Sequence, residues 1–252
     1  MCIRDSTSGV RKIVKNNGGT YQVNTNSTYG SETWADAATN TETAALRESM
    51  TSATALNGYQ LSAAAYDSKS FNFASQDNQC RGVRFNLDGT KMYMNGVTAD
   101  GFFQYSLSTA YDISTASYDS VSFTGSEDGN MEGFCFNNDG TKIFGIGLNN
   151  FTIYQYTLST AFDLSTMSYS SVSLLISGQD NSPRDIGFNN DGTKMYMIGR
   201  QQSAIFEYTL TTAYDLSTAS YASKNYGVVA QEANPSGSVS YTHLTLPTIY
   251  SV

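Results

Sequence analysis

Three stretches of this chain are close copies of one another: FNLDGTKMYMNGV from Phe85, FNNDGTKIFGIGL from Phe136 and FNNDGTKMYMIGR from Phe188, spaced 51 and 52 residues apart. A second block follows each copy, LSTAYDIST from Leu107, LSTAFDLST from Leu158 and LTTAYDLST from Leu210. A period of this length marks a repeat architecture, in which one supersecondary unit cannot bury its apolar face alone and stacks on the next.

The repeat divides into four strand-like segments. The first full unit reads as strands over Arg81–Asn86, Lys91–Val97, Phe102–Ser106 and Ser117–Phe123. The second reads over Glu132–Asn137, Lys142–Gly147, Thr152–Thr157 and Ser168–Leu174, and the third over Arg184–Asn189, Lys194–Gly199, Ala204–Thr209 and Ser220–Tyr226. Val83 and Phe85, Phe134 and Phe136, and Ile186 and Phe188 alternate as the bulky face of the innermost strand, with Gly82, Gly133 and Gly187 leaving room on the other. Four short strands per unit predict an all-β fold, a partial β-propeller of about three four-stranded blades plus part of another. The repeats span 58–238: a partial copy over 58–79, units over 80–131, 132–183 and 184–226, and the start of a further unit to 238.

The segment 7–57 does not follow the period. Gly9–Asn16 has strand character, Gly18-Gly19 opens a polar linker, and Thr39 with Glu42 forms a capping-box pattern ahead of a short helix over about 41–51, with Trp34 as its anchor. Both ends depart from the rest. Met1–Ser6, MCIRDS, resembles the translation of a sequencing-library adapter, and Val239–Leu244, VSYTHL, resembles the translation of its reverse complement. Positions 1–6 and 239–252 are therefore expected to be foreign to the fold. The period agrees, since it calls for an aromatic at 240, where Ser240 stands.

Charge restricts the partners. Charged residues make up 14% of the chain and the net charge is −8, which repels a phosphate backbone and argues against nucleic-acid binding. No apolar run is long enough to span a bilayer as a helix. The only histidine, His243, and Cys2 fall in the end segments, and Cys80 with Cys135 occupy non-equivalent positions, so neither a metal set nor a disulfide framework is indicated.

Asp88-Gly89, Asp139-Gly140 and Asp191-Gly192 read as tight hairpin turns, each with one carboxylate and hence not a calcium loop. In the second block, Asp112, Asp163 and Asp215 read as caps, with Tyr111, Phe162 and Tyr214 packed beneath.

The F-N-x-D-G-T-K-M-Y unit resembles the strand-turn-strand signature of YVTN-type and lactonase-like propellers and looks like repeats of environmental secreted and phage virion proteins. Its second and third copies have Asn, at Asn138 and Asn190, where the family signature carries Pro. In such propellers the ligand-facing end is built from the loop entering the innermost strand and the loop between the second and third strands. The first set places Asp77, Asp128 and Asp180 at repeat spacing, followed by Arg81, Glu132 and Arg184. Acids with alternating charges suit a site at the mouth of the channel; Asp as a loop former and Arg pairing with Glu132 are the structural alternative. The second set differs most among the repeats and carries Asp100, then Asn149, Asn150 and Phe151, then Arg200, Gln201 and Gln202. Amide-rich tips beside an aromatic suit a sugar.

These features lead to the expectation of a noncatalytic propeller scaffold that binds a glycan or a surface protein, extracellular or on a virion, without cofactor or metal. A lactonase-like hydrolase with a metal in the channel, and a structural spacer, are the alternatives. No Gly-x-Ser-x-Gly elbow accompanies the repeats.

Overall fold

The computed structural model describes strands at residues 2–4, 11–17, 20–24 and 34–36, and residues 65–237 continuously. The chain divides into two compact units, one comprising Met1–Asp67 with Thr245–Val252 and the other Ser68–Leu244.

In the first unit, β1 (Cys2–Arg4), β2 (Arg11–Asn17), β3 (Thr20–Asn24) and β4 (Trp34–Asp36) form one antiparallel sheet in that order. The expected strand over Gly9–Asn16 corresponds to β2. The stretch read as polar linker contributes β3 and β4; alternation of Tyr21 and Val23 with polar neighbours is enough for pairing once β2 lies alongside. The helix expected over 41–51 and the segment 239–252 lie outside the described residues.

Among its described residues the second unit contains three four-stranded antiparallel sheets, each a simple meander. The first is β5 (Cys80–Phe85), β6 (Lys91–Gly96), β7 (Gly101–Leu107) and β8 (Ala116–Thr124). The second is β9 (Met131–Phe136), β10 (Lys142–Gly147), β11 (Thr152–Leu158) and β12 (Met167–Leu175). The third is β13 (Pro183–Phe188), β14 (Lys194–Gly199), β15 (Ala204–Leu210) and β16 (Ala219–Gly227). These are three blades of a β-propeller, and their strands begin and end within two residues of the segments legible in the repeat. Among the described residues no helix is long and apolar enough to cross a membrane.

Consecutive blades bury each other's faces. Tyr93 and Phe102 of the first blade join Phe134, Ile143 and Tyr156 of the second in one buried cluster, and Phe144, Ile146 and Ile153 of the second join Ile186, Met195 and Phe206 of the third in another. Aromatic pairs cross both seams, Phe102 edge-on to Phe134 at 5.3 Å between centroids and Phe144 tilted against Phe188 at 4.5 Å. Such pairs add about 0.5–1.5 kcal/mol to the area they bury.

The second shared block docks one blade on the next. Asp112, Asp163 and Asp215 cap short 3-10 turns by accepting the backbone N–H of Ser114, Ser165 and Ser217, as the cap reading requires. Gln104 Oε1 of the first blade accepts from Leu164 N of the second at 2.9 Å, and Gln155 Oε1 accepts from Leu216 N of the third at the same distance. These bonds satisfy buried amides that a purely apolar seam would orphan. Tyr111, Phe162 and Tyr214 fold back over the hairpin glycines, whose φ is near +70°. At Gly140 the Phe162 ring would lie 2.3 Å from a Cβ, so glycine is demanded there by both conformation and space.

One detail of the innermost strand differs from the sequence reading. Gly82 and Gly133 oppose Asn95 and Ile146, but the residue opposing Ile198 in the third blade is Asp185, while Gly187 lies two places further on and opposes Tyr196.

Candidate functional site

Each innermost strand carries a bulge at its first turn, at the same place in every blade. Cys80 opposes Gly96 and Gly82 opposes Asn95, so Arg81 between them has no partner. Glu132 is skipped in the same way between Met131 and Gly133, and Arg184 between Pro183 and Asp185. A bulged residue leaves the strict in-and-out alternation and its side chain is re-aimed. Three consecutive blades thereby turn Arg81, Glu132 and Arg184 toward one point.

There the acid is shared. Arg184 Nη1 lies 2.6 Å from Glu132 Oε2, and Arg81 Nε lies 3.6 Å from Glu132 Oε1. The Glu132 side chain is 4% exposed, Arg184 13% and Arg81 41%, so the Arg184 pair is the buried, directional one and Arg81 is a half-exposed arm laid across it. The charges come together as the pairing alternative expected. They line a cavity of about 370 Å³ together with Cys80, Arg200, Asn234 and Ser236. Arg200 stands at the start of the β14–β15 loop and donates from Nε to Asn234 Oδ1 at 3.1 Å.

Deeper along the same strands, Arg84 Nη2 contacts both carboxylate oxygens of Asp185 at 3.0 Å, and its guanidinium lies 5.6 Å from the centre of the Phe134 ring. This bridge links the first blade to the third across the inner strand of the second.

Asp77, Asp128 and Asp180 are all buried, with exposures of 3%, 3% and 2%. Each carboxylate accepts main-chain amides from two loops at once. Asp77 takes Gln79 N at 2.5 Å and Ala99 N at 2.7 Å. Asp128 takes Asn130 N at 2.9 Å and Asn150 N at 2.8 Å, and Asp180 takes Ser182 N at 2.6 Å and Gln202 N at 2.8 Å. The three acids expected at the mouth thus fasten the entering loop to the loop between the second and third strands. Room for them is made by Gly96, Gly147 and Gly199, where a Cβ would come within 2.2–2.4 Å of the carboxylate.

A fourth entering loop repeats one of these two bonds, with a longer and exposed side chain. Glu232 Oε1 accepts from Asn234 N at 2.8 Å, the place taken by Asp180 Oδ1 and Ser182 N one repeat earlier. Asn234 and Ser236 reach the cavity from this loop.

The variable tips occupy the same end of the blades. Asn149, Asn150, Arg200, Gln201 and Gln202 are exposed, and Asp100 and Phe151 are half-buried. Asp100, Phe151 and Ser203 hold equivalent positions with φ of 55°, 50° and 47°, so the three tips turn alike although their residues differ. Burial first, then the nearby charges of Asp128 and Asp77, pushes the Asp100 carboxyl above its ordinary value. Asn150 is drawn inward, donating from Nδ2 to Glu127 O at 2.9 Å. Of the expected site residues, only Arg81, Glu132, Arg184 and Arg200 converge on the cavity. Cys80, Asn234 and Ser236 join them without a distinguishing sequence signal beyond their place in the entering loops. Among the described residues no three His, Cys, Asp or Glu side chains gather into a metal-binding group.

No protein-family model matches the chain, and no curated protein matches it. Solved structures with a similar arrangement include a protein of unknown function from Desulfotomaculum acetoxidans, 13% identical with a TM-score of 0.44, the match covering 86% of this chain and 52% of that one. Two others are provisionally described as 6-phosphogluconolactonases. The Bacteroides uniformis protein is 12% identical over 88% of this chain and 55% of that one, and the Bacteroides fragilis protein 11% identical over 86% and 54%, each with a TM-score of 0.44. The chain spans about half the length of these structures, and at such identities the likeness assigns no activity.

Proposed function

We propose that this chain is a noncatalytic propeller scaffold, on an extracellular or virion surface, that binds a glycan or a surface protein through the blade end carrying the entering loops. The observation that carries this reading is the cavity itself. Equivalent bulges on three blades aim side chains into it, while buried carboxylates hold the surrounding loops in one shape and leave their tips free to differ. A rigid frame beneath unlike loops is the usual arrangement of a recognition surface.

The lactonase-type alternative needs a group in the channel that takes a proton or holds a metal-bound water. Glu132 is the carboxylate lining this cavity, and it is tied as a counter-ion between Arg81 and Arg184. The test is a glycan array and a surface-protein pull-down with the purified chain, run beside lactone and ester turnover assays. Capture of a glycan or surface protein without turnover is expected; turnover that disappears in Glu132→Gln would replace the scaffold reading with the hydrolase.

A further inference from the structure

Resting on the scaffold reading above, we infer that the cavity between Arg81, Arg184 and Arg200 is an oxyanion site that takes a hydroxylated acid, such as an acidic sugar, in preference to a neutral one. Three guanidinium groups face one carboxylate there, leaving an excess of two positive charges in a chain whose net charge is −8. This local reversal of sign is not consumed by the protein. Among the described residues, Arg81 makes only its 3.6 Å pairing with Glu132, and Arg200 spends Nε alone, on Asn234. Both therefore keep their terminal nitrogens without an acceptor.

Guanidinium forks match the paired oxygens of a carboxylate or the edge of a phosphate, so two such forks beside one cavity specify an oxyanion. The remaining groups ask for hydroxyls. Glu132 Oε1 is buried and accepts no hydrogen bond, and Arg184 Nε is buried and donates none, among the described residues. Arg81, which covers Oε1, is 41% exposed and held only at 3.6 Å, so a ligand can displace it and offer a hydroxyl proton in its place. Asn234 and Ser236 supply further donors and acceptors at the rim. A volume of about 370 Å³ falls at the lower end of the range for small-ligand sites, the size of a sugar acid and not of a long peptide.

Titration calorimetry of the 252-residue chain with D-galacturonate, D-galactose and inorganic phosphate tests the inference. Galacturonate should bind at least tenfold more tightly than either of the others, and the binding should weaken as salt is raised from 50 to 500 mM. Arg81→Gln and Arg200→Gln, each at an exposed residue, should each weaken it by about tenfold at unchanged thermal stability. Phosphate binding as tight as galacturonate binding would overturn the requirement for hydroxyls. Equal binding of galactose and galacturonate, unchanged in both Arg variants, would overturn the anion preference and leave the scaffold reading standing. Failure of all three probes together with capture in the glycan array would overturn the cavity as the site, and failure in every assay would remove the scaffold reading as well.

Discussion

Asp128 fills the space in which Gly147 would carry a side chain: a Cβ on Gly147 would lie 2.3 Å from the Asp128 carboxylate oxygen Oδ2. Asp128 comes from the entering loop and Gly147 from the end of β10 in the same blade, and their contact is what allows a buried acid to reach the amides of Asn130 and Asn150. Gly147→Ala should therefore destabilise the chain by about 2–4 kcal/mol, by overpacking and by loss of charged hydrogen bonds. Urea unfolding measures this. Hydrogen exchange should show the amides of Asn130 and Asn150 losing protection together, and independent loss would contradict the shared clamp.

A second prediction separates the pairs at Glu132. Glu132→Leu strands the largely buried Arg184 and should cost about 3 kcal/mol, whereas Glu132→Leu combined with Arg184→Leu should recover at least half of that. Arg81→Leu alone should change stability by less than about 1 kcal/mol, because its pairing is long and half-exposed. A double-mutant cycle reads the coupling; additive costs for Glu132 and Arg184 would mean that the buried pair is not the energetic centre.

Stability should fall on the acid side through the turns. The carboxyls of Asp88, Asp139 and Asp191 are held below their ordinary value first by the hydroxyls of Thr90, Thr141 and Thr193. Those of Asp112 and Asp215 are lowered first by the side chains of Lys69 and Ser217. A group with a depressed folded pKa contributes stability that is present above its unfolded value, here about 3.8, and lost as pH drops through the folded one. On the alkaline side burial pushes the Cys135 thiol and the Tyr214 phenol up to about 12 each, so their contribution is intact below the unfolded values and declines as pH rises toward 12. The melting temperature should be flat from pH 5 to 8 and fall below pH 4 and above pH 10; a decline between pH 7 and 5 would point to other groups.

The repeat made most of the propeller legible because each turn has local chemistry. Asp-Gly hairpins, Asp caps and alternating aromatics need only neighbours in sequence, and the structure has them where the spacing puts them. The site was legible by residue but not by geometry. Asp77, Asp128 and Asp180 read either as acids at the mouth or as loop formers, and only the glycines one strand away, which have no obvious link to them in sequence, reveal that they turn inward. The bulges at Arg81, Glu132 and Arg184 leave no mark on a hydrophobic pattern, since one skipped residue changes pairing without changing composition. The Arg84–Asp185 bridge joins positions at which the other blades carry unlike residues, so periodicity hides it.

The buried acids recognise main-chain N–H groups, which every residue except proline possesses. The clamp itself therefore makes no demand on which side chains stand at 98–100, 148–151 and 200–203, apart from the positive-φ residue before each third strand. Each blade accordingly offers a socket into which a different tip can be grafted at little cost in stability, and a chain of such blades can change its specificity one loop at a time while its core stays as it is.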